Sequence, residues 1–232
     1  MYLSEKPIQV DQLDVESLPS GREVRLQVEL MRDAMGQMIR VPVVVLRGKK
    51  EGPVFGLTAA LHGNELNGIR VIHELFDRID VQALRGTIVA VIVANVPGYL
   101  MHQREFNDGR DLNHLMPGKP NGTESQVYWH RLIERIIKRF DYLIDLHTAS
   151  FGRINSLYIR ADMTNPITAR MAYLQRPQII LHNPASDSTL RGTAMELDIP
   201  AITVEIGDPH LFQPALIKRS LTGLRAVLSE IG

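Results

Sequence analysis

From Val54 onward, strand-length apolar segments alternate with segments of helical periodicity. The apolar segments predict strands at residues 54–61, 87–94, 142–146, 156–160, 179–181 and 201–204. The periodic segments predict helices at residues 69–79 and 166–175, a helix that follows Thr123 and has its apolar face at 129–140, and a last helix that begins at Pro214. Strands that alternate with helices favour a sheet covered on both faces. The sequence therefore predicts an α/β fold with a mostly parallel or mixed central sheet.

The first part of the chain, to about residue 47, is rich in strand signals. Apolar and polar residues alternate over 22–30, and β-branched residues dominate 41–46, so both segments are predicted strands. A polar turn is predicted at 48–53, and Asn64 is a candidate cap for the following helix. Thr123 and Gln126 have the spacing of a capping box. A length of 232 residues fits one domain covering 1–232.

Composition limits the classes of function. Lys+Arg and Asp+Glu are both 26, so no basic excess indicates binding to nucleic acid or to an anionic membrane. We find no apolar run long enough to span a bilayer and no signal peptide in residues 1–20, and we expect a cytoplasmic enzyme. The chain has no cysteine, so any zinc must be held by histidines and carboxylates, as in catalytic sites.

Four polar residues lie at the ends of predicted strands. His62 and Glu65 follow the strand at 54–61, His147 follows the strand at 142–146, and Glu205 follows the strand at 201–204. Ligand sites in α/β sheets lie outside the carboxyl ends of the strands, so these four side chains are expected to meet there. Taken singly, each has an ordinary structural explanation; their common placement is what favours a site.

Two histidines and one carboxylate are a common ligand set for a catalytic zinc ion. His62 and Glu65 can both reach one ion if the backbone turns sharply, and Gly63 is expected to allow that turn. Zinc lowers the pKa of its bound water to about 7, which produces a nucleophile at neutral pH. Glu205 is then the candidate that takes the proton and delivers it to the leaving group.

Five segments together resemble the succinylglutamate desuccinylase/aspartoacylase family, which is similar to the zinc carboxypeptidases. They are 60–68 (ALHGNELNG), 95–99 (NVPGY), 111–118 (DLNHLMPG), 145–148 (DLHT) and 203–207 (TVEIG). They occur in the family's order and extend the resemblance over most of the chain, from about Val41 to Pro209. The resemblance implies a carboxypeptidase-like fold, one zinc ion per chain at His62, Glu65 and His147, and Glu205 as general base and acid.

The resemblance also implies a reaction and further site residues. The reaction is hydrolysis of the amide bond in an N-acyl amino acid, which releases a carboxylate and an amine. Arg104 matches an arginine that polarises the scissile carbonyl, and Arg191 resembles an arginine that grips a substrate carboxylate. Asn113 and His114 are the corresponding substrate-binding positions. Asp145, two residues before His147, could orient that histidine or serve only as a structural carboxylate.

The chain departs from the family pattern in two places. The usual Asp-Leu-Asn-Arg motif is here Asp-Leu-Asn-His, and His114 cannot provide the bidentate fork of an arginine. A neutral or basic N-acyl amino acid, or another small amide or ester, is therefore expected as readily as an acidic substrate. Many relatives also carry a C-terminal β-rich segment beyond the point where this sequence stops, so the chain is expected to be a compact member or a truncated form.

Two alternatives to an N-acyl amino acid hydrolase stay open. A metallocarboxypeptidase acting on peptides would use the same zinc and glutamate. A homologue that only binds metal or substrate is favoured by His114 and opposed by Glu205, which binding alone does not require. The sequence leaves the oligomeric state open, and a homo-oligomer is compatible with it.

Overall fold

The computed structural model describes residues 6–150, 152–153, 155–184 and 187–231. Its strands are β1 (Ile8–Val10), β2 (Arg22–Arg32), β3 (Met38–Arg47), β4 (Lys50–Ala59), β5 (Arg85–Val91), β6 (Tyr142–His147), β7 (Leu157–Ala161), β8 (Ile179–His182) and β9 (Ala201–Ile206). Its helices are α1 (Asn67–Phe76), α2 (Val96–Leu100), α3 (Glu124–Arg135), α4 (Pro166–Leu174), α5 (Leu190–Glu196) and α6 (Pro214–Ile231). Short 3-10 helices cover Leu112–His114 and Ile137–Arg139.

The strands of the described chain form one mixed, mostly parallel sheet in the order β1-β2-β3-β5-β4-β6-β9-β7-β8. The central strands β5, β4, β6 and β9 are parallel, and β3 and β7 run antiparallel to their neighbours β5 and β9. The carboxyl ends of β4, β6 and β9 therefore meet at one edge of the sheet, beside the first residues of β7. The predicted α/β class is confirmed.

The buried apolar residues of the sheet and the helices form two separate cores. One core packs beneath α3 and α5 and includes Trp129 and Leu190, and the other packs beneath α1, α4 and α6 and includes Ile72 and Leu224. In β9, Ala201 belongs to the first core and Ile202 to the second. Helices thus cover both faces of the sheet, as the apolar strand sequences predicted. In the described residues, no helix is long and apolar enough to cross a membrane.

Some local predictions were wrong. β4 begins at Lys50, so most of the turn expected at 48–53 is strand, because this segment pairs with β5 through Lys50 and Arg85. Asn64 does not cap α1: the helix starts after Leu66, and the Asn64 amide instead lies 3.2 Å from Nε2 of His210. The capping box of Thr123 before α3 is confirmed.

Candidate metal centre and active-site cavity

The strand ends bring the predicted metal ligands and the predicted base together. His62 and Glu65 lie in the loop that follows β4, and His147 is the last residue of β6. His147 is paired in register with Glu205 of β9, so their side chains lie side by side on one face of the sheet. All four side chains are buried, with 1% to 8% of each residue exposed. Such burial of four titratable groups requires partners for each.

Gly63 has a different role in the ligand turn from the one expected. The turn is closed by a hydrogen bond of 3.1 Å from the Glu65 amide to the His62 carbonyl. Gly63 is not among the residues with positive φ; instead, a Cβ atom there would lie 2.0 Å from the carbonyl carbon of Gly98. Glycine is needed because the turn packs directly against the backbone of α2, and not for conformational freedom.

The two histidines direct the same ring nitrogen toward Glu65. Nδ1 of His62 lies 2.8 Å from Oε1 of Glu65, and Nδ1 of His147 lies 3.0 Å from Oε2. One ligand atom from each of the three residues lies within 4.8 Å of the other two. Ligand atoms around a tetrahedral zinc ion, at about 2.1 Å from it, lie about 3.4 Å apart. The donor types and their convergence therefore fit a zinc ion.

A carboxylate other than Glu65 contacts Nε2 of each histidine. Nε2 of His147 lies 2.7 Å from Oδ2 of Asp145, whose Oδ1 accepts a hydrogen bond of 2.6 Å from Thr58. Nε2 of His62 lies 3.0 Å from Oδ1 of Asp111. A carboxylate at Nε2 favours the tautomer that leaves Nδ1 available to a metal. The contact between Asp145 and His147 agrees with the first role considered for Asp145, which was to orient this histidine. The contact of Asp111 with His62 was not predicted from the sequence.

The charges of this cluster are strongly coupled. Burial opposes ionisation of Glu65, but His62 and His147 outweigh it and hold its pKa at about 2. Burial lowers the pKa of both histidines, yet the carboxylates around them outweigh it: Glu65 and Asp111 raise the pKa of His62, and Asp145 and Glu65 that of His147. The cluster thus keeps a carboxylate ionised inside the protein, as a metal ligand must be.

Glu205 has the environment of a proton-transfer group. Burial raises its pKa above the usual carboxylate value, and the nearby Glu65 adds to the rise, while His147 and Arg160 oppose it. Nε of Arg160 lies 3.4 Å from Oε1 of Glu205. A carboxylate with a raised pKa is better suited to accept and return a proton near neutral pH than an exposed one.

Arg104 contacts the metal cluster through Glu65 and Asp111. Its Nε and Nη2 donate to Oδ2 of Asp111 at 3.1 and 2.8 Å, and its Nη1 donates to Oε1 of Glu65 at 3.2 Å. Its side chain is a quarter exposed and borders the cavity. Asp111 therefore positions both a histidine of the cluster and the arginine predicted to stabilise the oxyanion.

The predicted substrate-binding residues also border the cavity but differ in availability. Oδ1 of Asn113 accepts from the amide of Leu190 at 3.2 Å, whereas His114 is exposed. Arg191 is 1% exposed, and its guanidinium donates to the carboxylate of Asp187 and to the carbonyl oxygens of Asn183 and Pro184. A substrate carboxylate at Arg191 would have to compete with Asp187. The role of Arg191 stays a prediction.

The cavity has a volume of about 390 Å³, which is in the size range of small-molecule sites. Its lining combines the metal cluster with residues from the loop after β6, from β7 and from the region before α5: His62, Glu65, Arg104, Asn113, His114, His147, Thr148, Ala149, Ser150, Arg153, Asn155, Tyr158, Arg160, Asp187, Thr189, Arg191, Thr203 and Glu205. Tyr158 and Arg160 were missed. Two polar residues at alternate positions of a predicted strand were the available signal.

The fold and site define an α/β domain with a buried His-Glu-His cluster that could hold a metal ion. The family model of the succinylglutamate desuccinylase/aspartoacylase catalytic domain matches residues 51–231. The chain belongs to this family. The resemblance found in the five sequence segments is thereby confirmed.

Part of this chain is similar in sequence to a deacetylase. The N-alpha-acetyl-L-2,4-diaminobutyric acid deacetylase of Halomonas elongata is 29% identical over 111 residues, which are 47% of this chain and 32% of that protein. The match thus spans about a third of the deacetylase's length.

Two solved structures share the fold. A succinylglutamate desuccinylase/aspartoacylase from Rhodobacter sphaeroides is 24% identical, with a TM-score of 0.81 over 95% of this chain and 68% of that one. The product-bound ectoine utilization protein EutE (DoeB) from Ruegeria pomeroyi is 21% identical, with a TM-score of 0.80 over 93% and 70%.

Proposed function

We propose that this chain is a zinc-dependent hydrolase that cleaves the amide bond of a small N-acyl amino acid. The observation that carries the proposal is the convergence of His62 Nδ1, His147 Nδ1 and the Glu65 carboxylate beside the buried Glu205, within one small cavity. Membership of a desuccinylase and aspartoacylase family supports the reaction class. The name of the deacetylase relative, which acts on an N-acetylated amino acid, supports the substrate class.

His62, Glu65 and His147 would hold the zinc ion. Zinc, when bound, acts as a Lewis acid that polarises a carbonyl group and makes water a better nucleophile at neutral pH. Two histidines and one carboxylate leave a fourth coordination position available, as catalytic zinc sites do. Asp111 and Asp145 would keep the two histidine rings oriented for this task.

The proton and charge movements are assigned to two residues. Glu205 accepts a proton from the attacking water and passes it to the nitrogen of the leaving amine, for which its raised pKa is suited. Arg104 donates to the carbonyl oxygen as negative charge develops on it, and Asp111 holds the guanidinium in place for that contact. Asn113, His114 and Arg191, which line the same cavity, are proposed to contact the amino-acid part of the substrate.

The experiment is a substrate panel with zinc-loaded protein. N-acetyl and N-succinyl amino acids with acidic, neutral and basic side chains are compared with peptides that have free C-termini. We expect release of free amino acids from the acylated substrates. Cleavage restricted to peptides would identify a metallocarboxypeptidase, and binding without cleavage of either group would identify a homologue that has lost catalysis. The cytoplasmic location and the oligomeric state stay predictions.

A further inference from the structure

Arg160 reaches the cavity from a strand to which the sequence assigned no site residue. On β7, Tyr158 is paired in register with Glu205 of β9, and Arg160 is paired with Thr203. Residues that oppose each other in antiparallel strands direct their side chains to the same face of the sheet. Arg160 therefore lies on the same face as Glu205, and both line the cavity.

The guanidinium of Arg160 makes fewer contacts with protein carboxylates and carbonyl groups than those of the other two arginines assigned to the site. Arg104 is committed to Asp111 and Glu65, and Arg191 is buried against Asp187 and two carbonyl oxygens. Nη1 of Arg160 donates to no residue in the described part of the chain. The Arg160 side chain is 39% exposed, which lets a ligand in the cavity reach it.

Tyr158 holds the guanidinium in position. Its hydroxyl accepts a hydrogen bond of 2.8 Å from Nη2 of Arg160, and the guanidinium carbon lies 5.3 Å from the centre of the tyrosine ring. A fixed guanidinium loses less conformational freedom when it binds an anion than a free one does. The pair Tyr158–Arg160 is thus a prepared binding element for a planar anion such as a carboxylate.

The chemistry of the leaving group places the substrate carboxylate near this pair. Glu205 must approach the amide nitrogen closely, because it delivers the proton that completes the leaving amine. In an amino acid the α-carboxylate is separated from that nitrogen by a single carbon atom. The carboxylate therefore lies within about 4 Å of the nitrogen, and so close to Glu205. Arg160 is an arginine that contacts Glu205 directly, with its Nε 3.4 Å from Oε1.

We propose that Arg160, positioned by Tyr158, binds the free α-carboxylate of the N-acyl amino acid and selects for substrates that carry one. This inference rests on the proposed function, because it assumes that Glu205 serves the leaving amine. It also accounts for the absence of an arginine at position 114, since His114 cannot supply a bidentate contact. Recognition of the α-carboxylate is then assigned to β7, while the loop that carries Asn113 contacts the rest of the amino acid.

The test compares each N-acetyl amino acid with its α-carboxamide, which lacks only the negative charge. We expect wild-type protein to favour the acid, and Arg160→Gln to reduce that preference in kcat/KM by about 10- to 100-fold, largely through KM. Arg160→Lys should restore part of the preference. Tyr158→Phe should also reduce the preference for the acid, but by less than Arg160→Gln, since the cation remains. Assays are run on the pH plateau, where Glu205 is ionised with both substrates.

Arg153 supplies the matched control, because it is an exposed arginine that lines the same cavity. Arg153→Gln should leave the preference for the acid unchanged. If Arg160→Gln lowers kcat/KM equally for the acid and for the amide, the arginine acts only through Glu205, and the proposal is overturned. Loss of the preference in Arg153→Gln alone would overturn it as well.

A binding measurement separates this inference from the proposed function. In the Glu205→Gln background, calorimetry compares the affinities of the zinc-loaded protein for the acid and the amide, with and without Arg160→Gln. If wild-type protein hydrolyses no N-acyl amino acid, the proposed function fails, and this binding comparison still decides whether Arg160 recognises the carboxylate. Equal affinities for the two ligands would overturn the role of Arg160 whatever the turnover.

Discussion

Oδ1 of Asp111 lies 3.0 Å from Nε2 of His62, while Oδ2 of the same carboxylate accepts two hydrogen bonds from Arg104. One carboxylate thus links a proposed metal ligand to the proposed oxyanion donor. The arginine and the histidine also hold the pKa of Asp111 well below its usual range, against the opposing effect of burial. Asp111 is therefore ionised wherever the enzyme is expected to work.

Asp111→Asn should weaken zinc binding by about 10- to 100-fold, because the carboxylate that orients the His62 ring is lost. It should also lower kcat at saturating zinc, because Arg104 loses its main anchor. Competition with a chelator measures the affinity. Asp108→Asn, in the same loop but bonded to Ser125, is the control and should keep wild-type affinity. Unchanged zinc affinity in Asp111→Asn would contradict this assignment.

Glu205→Gln should keep zinc and lose about 10²- to 10⁴-fold in kcat. The amide retains the size of the side chain but cannot accept a proton from water. Zinc content and kcat are measured on the same preparation, so that loss of metal is separated from loss of chemistry. A variant with full zinc and wild-type turnover would exclude Glu205 as the base.

The acidic limb of the kcat/KM profile should lie above pH 4.5, the ordinary carboxylate value, because burial raises the pKa of Glu205. The group must be ionised to act as a base, so activity falls as the pH drops through the raised pKa. The charged and titratable groups that face Glu205 are His147, Glu65, Arg160 and Tyr158.

Zinc occupancy is monitored across the same pH range, so that protonation of the ligand histidines is not mistaken for that of Glu205. A limb at or below pH 4.5 with full occupancy would contradict the assignment.

Gly63→Ala should disturb the ligand turn. The added Cβ would lie 2.0 Å from the Gly98 carbonyl carbon and 2.1 Å from the Tyr99 amide nitrogen, so the backbone of one segment must move. We expect a lower melting temperature together with weaker zinc binding. Gly36→Ala, where nothing lies within 4 Å but φ is +80°, should cost about 1–2 kcal/mol without any effect on zinc.

The sequence predicted those parts of the fold that depend on local patterns. The apolar runs predicted β4, β5, β6 and β9, and Thr123 with Gln126 predicted the start of α3. β1, α2 and α5 were missed: β1 has three residues with exposed or half-buried side chains, α2 has five residues, and α5 has seven residues and is capped by the side chain of Thr189. Elements this short are set by tertiary packing and carry little periodic signal.

The site also contains residues that local sequence patterns predict and residues that they do not. His62, Glu65, His147 and Glu205 could be predicted because each comes at or just beyond the end of a strongly apolar segment. The roles of Asp111 and Arg160 could not, because they depend on which loops and strands become neighbours. Arg160 reaches Glu205 only because β7 pairs antiparallel with β9, and no local pattern in the sequence specifies that pairing.

The most direct test of the central claim is the zinc content of purified protein after dialysis against excess zinc and then against buffer, measured by elemental analysis beside a His62→Ala/His147→Ala variant. The cluster of His62, Glu65 and His147 predicts one tightly held zinc ion per chain in the wild type and none in the double variant. A wild-type protein that retains no zinc, or a double variant that retains one ion per chain, would contradict it.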